Sequence, residues 1–252
     1  MDVHRIVTED LHMRKICVKL VLKNLSDEQN ENHVLVSREL LYRVTSEPDF
    51  LQQVITRDET WVFEYDRTTK RQSSEWHTSQ SPRPKKARMS KSRVKSMLVI
   101  IFFLNSKGVH KEFVPPRQTM NQTFYLQVLG RLRNGIVPVR RETANMWFLH
   151  HGNAPSHTSI AVREFLAQNN ITTLPHPPYS PDLAPCDFFL FPKLKTHLKG
   201  HHFGTVENVQ AAATRVLNNI SSEDFLHCNE EWQQSWNRCI PSQGAYFEGN
   251  KL

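Results

Sequence analysis

The sequence predicts an α/β fold in which a mixed sheet is layered with helices. Three observations carry that reading. The first half holds three β-forming runs, TWVFEY at 60–65, SMLVIIFFL at 96–104 and VHKEFV at 109–114. From about residue 121 to 174 helical and strand-like patterns alternate, and two helical patterns, 205–220 and 223–238, close the chain. Successive strands favour antiparallel neighbours, while strands separated by helices favour parallel ones, with helices on the sheet faces.

Each element has its own signal. Thr8-Glu9-Asp10 opens a helix over Leu11–Val18, and Ser26-Asp27-Glu28-Gln29 reads as a cap before a helix over Asn30–Val44. After Pro48 the pattern turns to strands. Between the first two strands lies Asp66–Lys95, polar, with Pro82 and Pro84, which reads as an extended loop. Asn121 caps a helix from Gln122 to about Arg133, with Phe124, Leu126, Val128, Leu129 and Leu132 as apolar positions. Asn145–His150 is a strand. Ser156 then caps an amphipathic helix over Thr158–Gln168, with Ile160, Val162, Phe165 and Leu166 inward. Ile171–Leu174 is a short strand, followed by the proline-rich crossing Pro175–Pro185, and Asp187 falls just inside the next helix. Trp61, Trp147, Trp232 and Trp236 read as core. This order is compatible with a ribonuclease H-like layer fold, although periodicity alone does not fix the topology.

The chain has 252 residues and a formal charge of +7, which suits either a polyanionic partner or an ordinary basic soluble protein. Four scattered cysteines (Cys17, Cys186, Cys228, Cys239) without a CxxC pair argue for free thiols and against a zinc module. The longest apolar run, Met97–Leu104, is too short to span a bilayer, and Met1 opens no leader-like segment, so no membrane partner is expected. Arg83, Lys85, Lys86, Arg88, Lys91, Arg93 and Lys95 place seven cations in thirteen residues, a stretch able to neutralise several phosphates or to be a solvated loop. It also matches the loose pattern of a nuclear localisation signal, and a nuclear location is expected. The histidine pairs, His150-His151 and His201-His202, lack paired metal spacings and read as hydrogen-bonded or surface positions.

Three blocks carry candidate chemistry: Asp58 in ITRDETWVFEYD, residues 148–157 as FLHHGNAPSH, and Asp187 in YSPDLAPCDFFLFP. Phosphodiester cleavage by two divalent ions needs hard oxygen ligands about 4 Å apart across the scissile phosphate. Asp58 sits beside a predicted strand and Asp187 at a helix start, so both suit that task. Singly, each also reads as a structural carboxylate, at a strand edge or a helix cap.

The three blocks, with RQSSEWHTSQSPRPKKARMS at 71–90 and LPHPPYSPDLAPCDFFLFPKLK at 174–195, resemble mariner-family transposases of the Tc1/mariner superfamily, including the transposase part of SET–mariner fusions. The resemblance runs from about Thr8 to Asn250. It implies a ribonuclease H-like (retroviral integrase-like) three-layer fold with a mixed sheet, over 49–252, preceded by a short helical arm, 1–48, left from a second helix-turn-helix module and linker. It implies Asp58 and Asp187 as the first and third catalytic, metal-binding aspartates, with Mg2+ or Mn2+ as cofactor. In the family thirty-four residues separate the second aspartate from the third; here that position, thirty-five before Asp187, is Gly152. Cleavage is therefore expected to be impaired. Asp182 falls outside this spacing and reads as a structural loop residue.

Further departures are Arg57 and Arg117, each where the family has glycine, and Leu20-Val21-Leu22 for Trp-Val-Pro. The connector before Asn145 is also shorter than in relatives. The resemblance implies DNA as partner, through the basic loop 66–95, which in the family also reaches to a second subunit, so a homodimer is expected. With only Asp2–Lys19 resembling the DNA-reading modules, DNA binding is expected to be non-specific. Trp76 would anchor the loop by stacking or packing. Nothing resembles a methyltransferase domain. Alternative readings are a residual Mn-dependent nickase and a non-enzymatic DNA- or protein-interaction module.

Overall fold

A computed structural model describes residues 6–13, 21–78, 80–82, 84–85, 87, 89–103, 109–139 and 147–247. A five-stranded sheet, β1 (Val54–Phe63), β2 (Lys95–Phe103), β3 (Val109–Phe113), β4 (Trp147–His150) and β5 (Ile171–Thr173), has the order β3-β2-β1-β4-β5. The β1–β2 and β2–β3 pairs are antiparallel, and the β1–β4 and β4–β5 pairs are parallel. The α/β class and the mixed sheet expected from the sequence are therefore present.

Helices cover both faces because β1 and β2 alternate buried residues to both sides. Ile55, Val99 and Ile101 meet Tyr125, Val128 and Leu129 of α2 (Gln122–Val139) and Val162 and Leu166 of α3 (Ile160–Gln168). On the opposite face, Val54, Leu98, Ile100 and Phe102 join a larger core. Its helices are α4 (Phe191–Leu198), α5 (Val206–Asn218) and α6 (Ser222–Cys239), with Trp232 and Trp236 at its centre. No helix among the described residues is long and apolar enough to cross a membrane.

The segment ahead of residue 48 contributes to this same core. Ser26 and Gln29 form a reciprocal capping box at the start of α1 (Asp27–Ser46), an arrangement worth about 1 kcal/mol. Val36 and Leu40 of α1 are buried with Trp232 and Trp236. The His33 ring lies between the carbonyl oxygens of Gly244 (3.0 Å) and Pro178 (2.9 Å). Gly244 itself has φ +78°, and a Cβ there would stand 2.0 Å from the Asn30 carbonyl oxygen. Trp232 Nε1 donates to the Leu183 carbonyl at 2.8 Å, fixing the proline-rich crossing that leads to Asp187.

Several boundaries differ from the sequence expectation. The first strand begins at Val54, not Thr60, because the charged letters of Thr56–Glu59 conceal a segment in which Thr56 and Arg57 are buried. Ser156 lies inside a separate single turn, Pro155–Thr158, and Ser159 is the N-cap of α3. The helix begun at Gln122 continues to Val139. The expected helix at 11–18 is preceded by a wide turn, Ile6–Asp10, and meets His12 at φ 49°; its residues from 14 onward lie outside the described residues. So do Cys17, Leu20 and Asn145. Trp61 is 39 % exposed, with Lys95 Nζ 4.0 Å from its ring centroid, so it is not a core residue. Trp76 is fully exposed and packs against nothing.

Arg117 occupies the left-handed region at φ 67°, where a side chain costs about 1 kcal/mol or more. Arg117→Gly should raise the unfolding free energy by about 1 kcal/mol. Gly244→Ala should lower it by roughly 2–4 kcal/mol through strain and overpacking. Urea titration of both variants reads the pair of opposite signs.

Candidate active site

The parallel register fixes where the three sequence blocks meet. Thr56 of β1 is level with His150, the last residue of β4. Two residues further along both chains stand Asp58, still paired to Ile100 of β2, and Gly152, just past the strand end. A strand repeats its side-chain direction every two residues, so Thr56 and Asp58 share a face. Cys186 Sγ lies 4.0 Å from Thr56 Oγ1 on that face, which brings the neighbouring Asp187, in the wide turn Cys186–Leu190, alongside. Asp58 thus lies within β1 rather than next to a strand, and Asp187 sits just inside a helical turn, as its sequence position suggested.

The two carboxylates perturb one another. Burial, the charge of Asp187 and that of Glu59 push Asp58 up to about 8, against a hydrogen bond from the Glu59 N–H (2.8 Å) and the charge of Arg57. Burial raises Asp187 to about 6, partly offset by Lys195 and reinforced by Asp182. Asp182 is buried in the short turn Pro181–Leu183, and its Oδ2 has no hydrogen-bond partner among the described residues.

At Gly152 there is room and no ligand. A Cβ built there meets no atom within 4 Å, and φ lies outside the left-handed region. The neighbouring side chains are committed elsewhere. His150 shares hydrogen bonds with Thr56 Oγ1 (3.1 Å) and His176 Nδ1 (3.1 Å), and burial holds its pKa well below the usual value. The Tyr125 hydroxyl meets His151 Nδ1 at 2.6 Å, and Asn153 Nδ2 donates to the His176 carbonyl at 2.7 Å. His157 Nδ1 lies 3.0 Å from the Gly152 carbonyl oxygen, tying down the turn. No group of three or more His, Cys, Asp or Glu among the described residues is arranged to hold a metal. A divalent cation nevertheless suits the Asp58–Asp187 pair, because bringing positive charge between two destabilised carboxylates relieves both burial and repulsion.

Behind β1 lies a network that the sequence reading did not identify. Arg57 has no exposed side-chain surface, and its backbone is ordinary strand, so conformation requires no glycine there. Its guanidinium stacks over Tyr125 (4.2 Å), meets His157 Nε2 (2.7 Å) and donates to Glu59. Burial alone would raise Glu59, but the hydrogen bond from His157 and the charge of Arg57 prevail and hold it near about 2. The signal was present in the opposite charges two residues apart on one strand face, Arg57 and Glu59.

Of the cationic stretch, Arg83, Lys86 and Arg88 lie outside the described residues. Lys85 and Arg93 are exposed. Lys91 pairs with Asp66 (3.2 Å) and lies over the Phe63 ring (3.6 Å), and Lys95 covers Trp61.

Residues 66–146 match the family model described as "Transposase (partial DDE domain)". The chain is 27% identical over 232 residues to the human (Homo sapiens) histone-lysine N-methyltransferase SETMAR, spanning 91% of this chain and 33% of that protein. It is 30% identical over 229 residues to the mariner Mos1 transposase of Drosophila mauritiana, spanning 90% of this chain and 64% of that one. The chain thus spans a third and somewhat under two thirds of these relatives. Among solved structures, the Mos1 mariner paired-end complex with Mn matches with a TM-score of 0.82 at 30% identity, covering 94% of this chain and 70% of that chain. The Mos1 catalytic domain matches with a TM-score of 0.74 at 28% identity, covering 91% and 100% respectively.

Two stability measurements check the electrostatics. Arg57→Gly should destabilise the fold by about 3–5 kcal/mol, because buried Glu59 loses its guanidinium and keeps only His157 as a side-chain partner. Asp58 has a native pKa above its unfolded value, so the native state holds the extra proton and stability falls as pH rises from about 4 to 8. Asp58→Asn removes that fall, and its melting temperature should exceed the parent's at pH 8 and approach it near pH 4.

Proposed function

Because the chain belongs to the mariner family of transposases, we propose that it is a DNA strand-cleaving catalytic domain whose chemistry is impaired by the loss of one carboxylate, at Gly152. The observation that carries this reading is the placement of Asp58 and Gly152 at one level of the sheet, with Asp187 on the same face. In this reading Asp58 and Asp187 hold a divalent cation, Mg2+ or Mn2+. Such an ion supplies the Lewis acid for phosphodiester cleavage. Asp58 is fixed by the Glu59 N–H, so its free oxygen can face the ion. Gly152 adds no negative charge, and two aspartates hold the ion more weakly than three. Related Mos1 structures include paired-end complexes with Mn and with Mg.

The polymer substrate is DNA. The Mos1 structures that match include a paired-end complex with the left transposon end. In this chain, Lys85, Lys91, Arg93 and Lys95, with Arg83, Lys86 and Arg88, are proposed to contact backbone phosphates without reading sequence. Nuclear location and pairing of two copies around DNA belong to the same proposal.

Restoring the lost carboxylate tests it. A Cβ at Gly152 meets no neighbour within 4 Å, so Gly152→Asp should fold as the parent does. Nicking of supercoiled DNA with Mg2+ or Mn2+ should be near background for the parent and rise by roughly 10²-fold or more in Gly152→Asp, and Asp58→Ala in that background should abolish it. A parent chain that nicks as fast as Gly152→Asp, with both losing activity on Asp58→Ala, would show that two aspartates suffice.

A further inference from the structure

The reading above leaves unexplained a concavity of about 580 Å³ at the base of the 66–95 loop. Four cations line it, Arg67, Lys70, Lys91 and Lys199, against a single carboxylate, Asp66. Three separate stretches of chain bring them together, and the walls are fixed. The Gly200 N–H donates to the Asp66 carbonyl (2.7 Å), and the Phe203 N–H to that of Glu64 (3.1 Å). Tyr65 stacks on His202 with ring centroids 4.0 Å apart, and Gln72 Nε2 donates to the Thr196 carbonyl of α4 (2.9 Å). Lys91 is held over Phe63 and against Asp66.

Lys195 connects this concavity to the candidate active site. It lies four residues before Lys199, the C-cap of α4, whose N–H donates to the Lys195 carbonyl (3.0 Å). It is partly buried, and it is close enough to feel repulsion from Lys91 and Lys199 and attraction from Asp187. A lysine that merely solvates itself extends into water. Lys195 instead stays partly buried, over the Phe191 ring (5.3 Å), between the like charges of Lys91 and Lys199 and the opposite charges of Asp187 and Asp66, and an anion in the concavity would offset the two lysines. A volume of this size holds more than one phosphate.

We propose that this concavity seats consecutive backbone phosphates of the DNA strand on one side of the cleavage point, with Lys91, Lys195 and Lys199 as the positioning cations. Lys195 links the seat to Asp187. The assignment rests on the proposed DNA-cleaving function and adds to it a fixed path for the strand, set by residues outside the cationic stretch of the loop.

Salt dependence tests it. Fluorescence anisotropy with a labelled DNA duplex, from 50 to 200 mM salt, yields the slope of log affinity against log salt, which reports about 0.9 per phosphate neutralised. Lys195→Gln/Lys199→Gln should reduce the magnitude of that slope by about 2. Lys195→Arg/Lys199→Arg should restore it. Lys111→Gln, at a lysine hydrogen-bonded to Asn218, removes one charge far along the sheet and should leave the slope unchanged. An unchanged slope in Lys195→Gln/Lys199→Gln, with the parent still binding DNA, overturns the seat and leaves the DNA reading intact. A parent that binds no DNA overturns both. Calorimetry with inorganic tripolyphosphate separates the remaining source of the same chemistry. If the double variant loses tripolyphosphate affinity while its DNA slope is unchanged, the site serves a soluble polyphosphate and the DNA assignment falls.

Discussion

Two carboxylates placed where they repel each other and are only partly hydrated dominate the energetics of the cleft. The central strand of the sheet carries Asp58 into that position, between an antiparallel neighbour on one side and a parallel one on the other. The helical turn bearing Asp187 is in turn held by packing of Cys186 and Leu190 into the larger core. Neither group can move away from the other without disturbing a core of apolar side chains. Their proximity is therefore a permanent feature of the fold; a proton held by Asp58 relaxes the repulsion, and a bound cation would relax it in the proton's place.

The same strand separates two electrostatic regimes. On the face toward α4 and α6 negative charge gathers, with Asp58 and Asp187 and the nearby Asp182. On the opposite face Arg57, Glu59, His157 and Tyr125 form a closed set in which charge is cancelled internally. The His157 bond to the Gly152 carbonyl joins the second regime to the turn beside the first. The geometry of the position that lacks a carboxylate is thus maintained from behind, by groups that do not face the cleft.

Much of this was legible in the sequence, and the parts that were not share a cause. Strands rich in Val, Ile and Phe, such as β2, and capped helices such as α1 announce themselves by pattern. The first half of β1 does not, because Thr56, Arg57, Asp58 and Glu59 read as a polar loop until their partners are known. Arg57 in particular is buried only because Tyr125, His157 and Glu59, two of them distant in sequence, converge on it. The family resemblance pointed to positions 152 and 187, and the register of β1 with β4 brings residue 152 near the level of Asp58. The contribution of Lys195 and Lys199 was invisible for a similar reason: they lie far in sequence from Lys91 and reach it through the docking of residues 64–66 onto 200–204.

Arg57 and Gly152 stand in contrast as departures from the family pattern. A Cβ is tolerated at Gly152, since none of its surroundings comes within 4 Å of one. Arg57 is entrenched: Glu59 and His157 now depend on its charge, so a return to glycine passes through a less stable protein. Mutations accumulated in such a lineage are therefore not equally retraceable. On the proposed reading, the position that lacks a carboxylate has room for a Cβ, whereas the residue beside Asp58 acts as a ratchet.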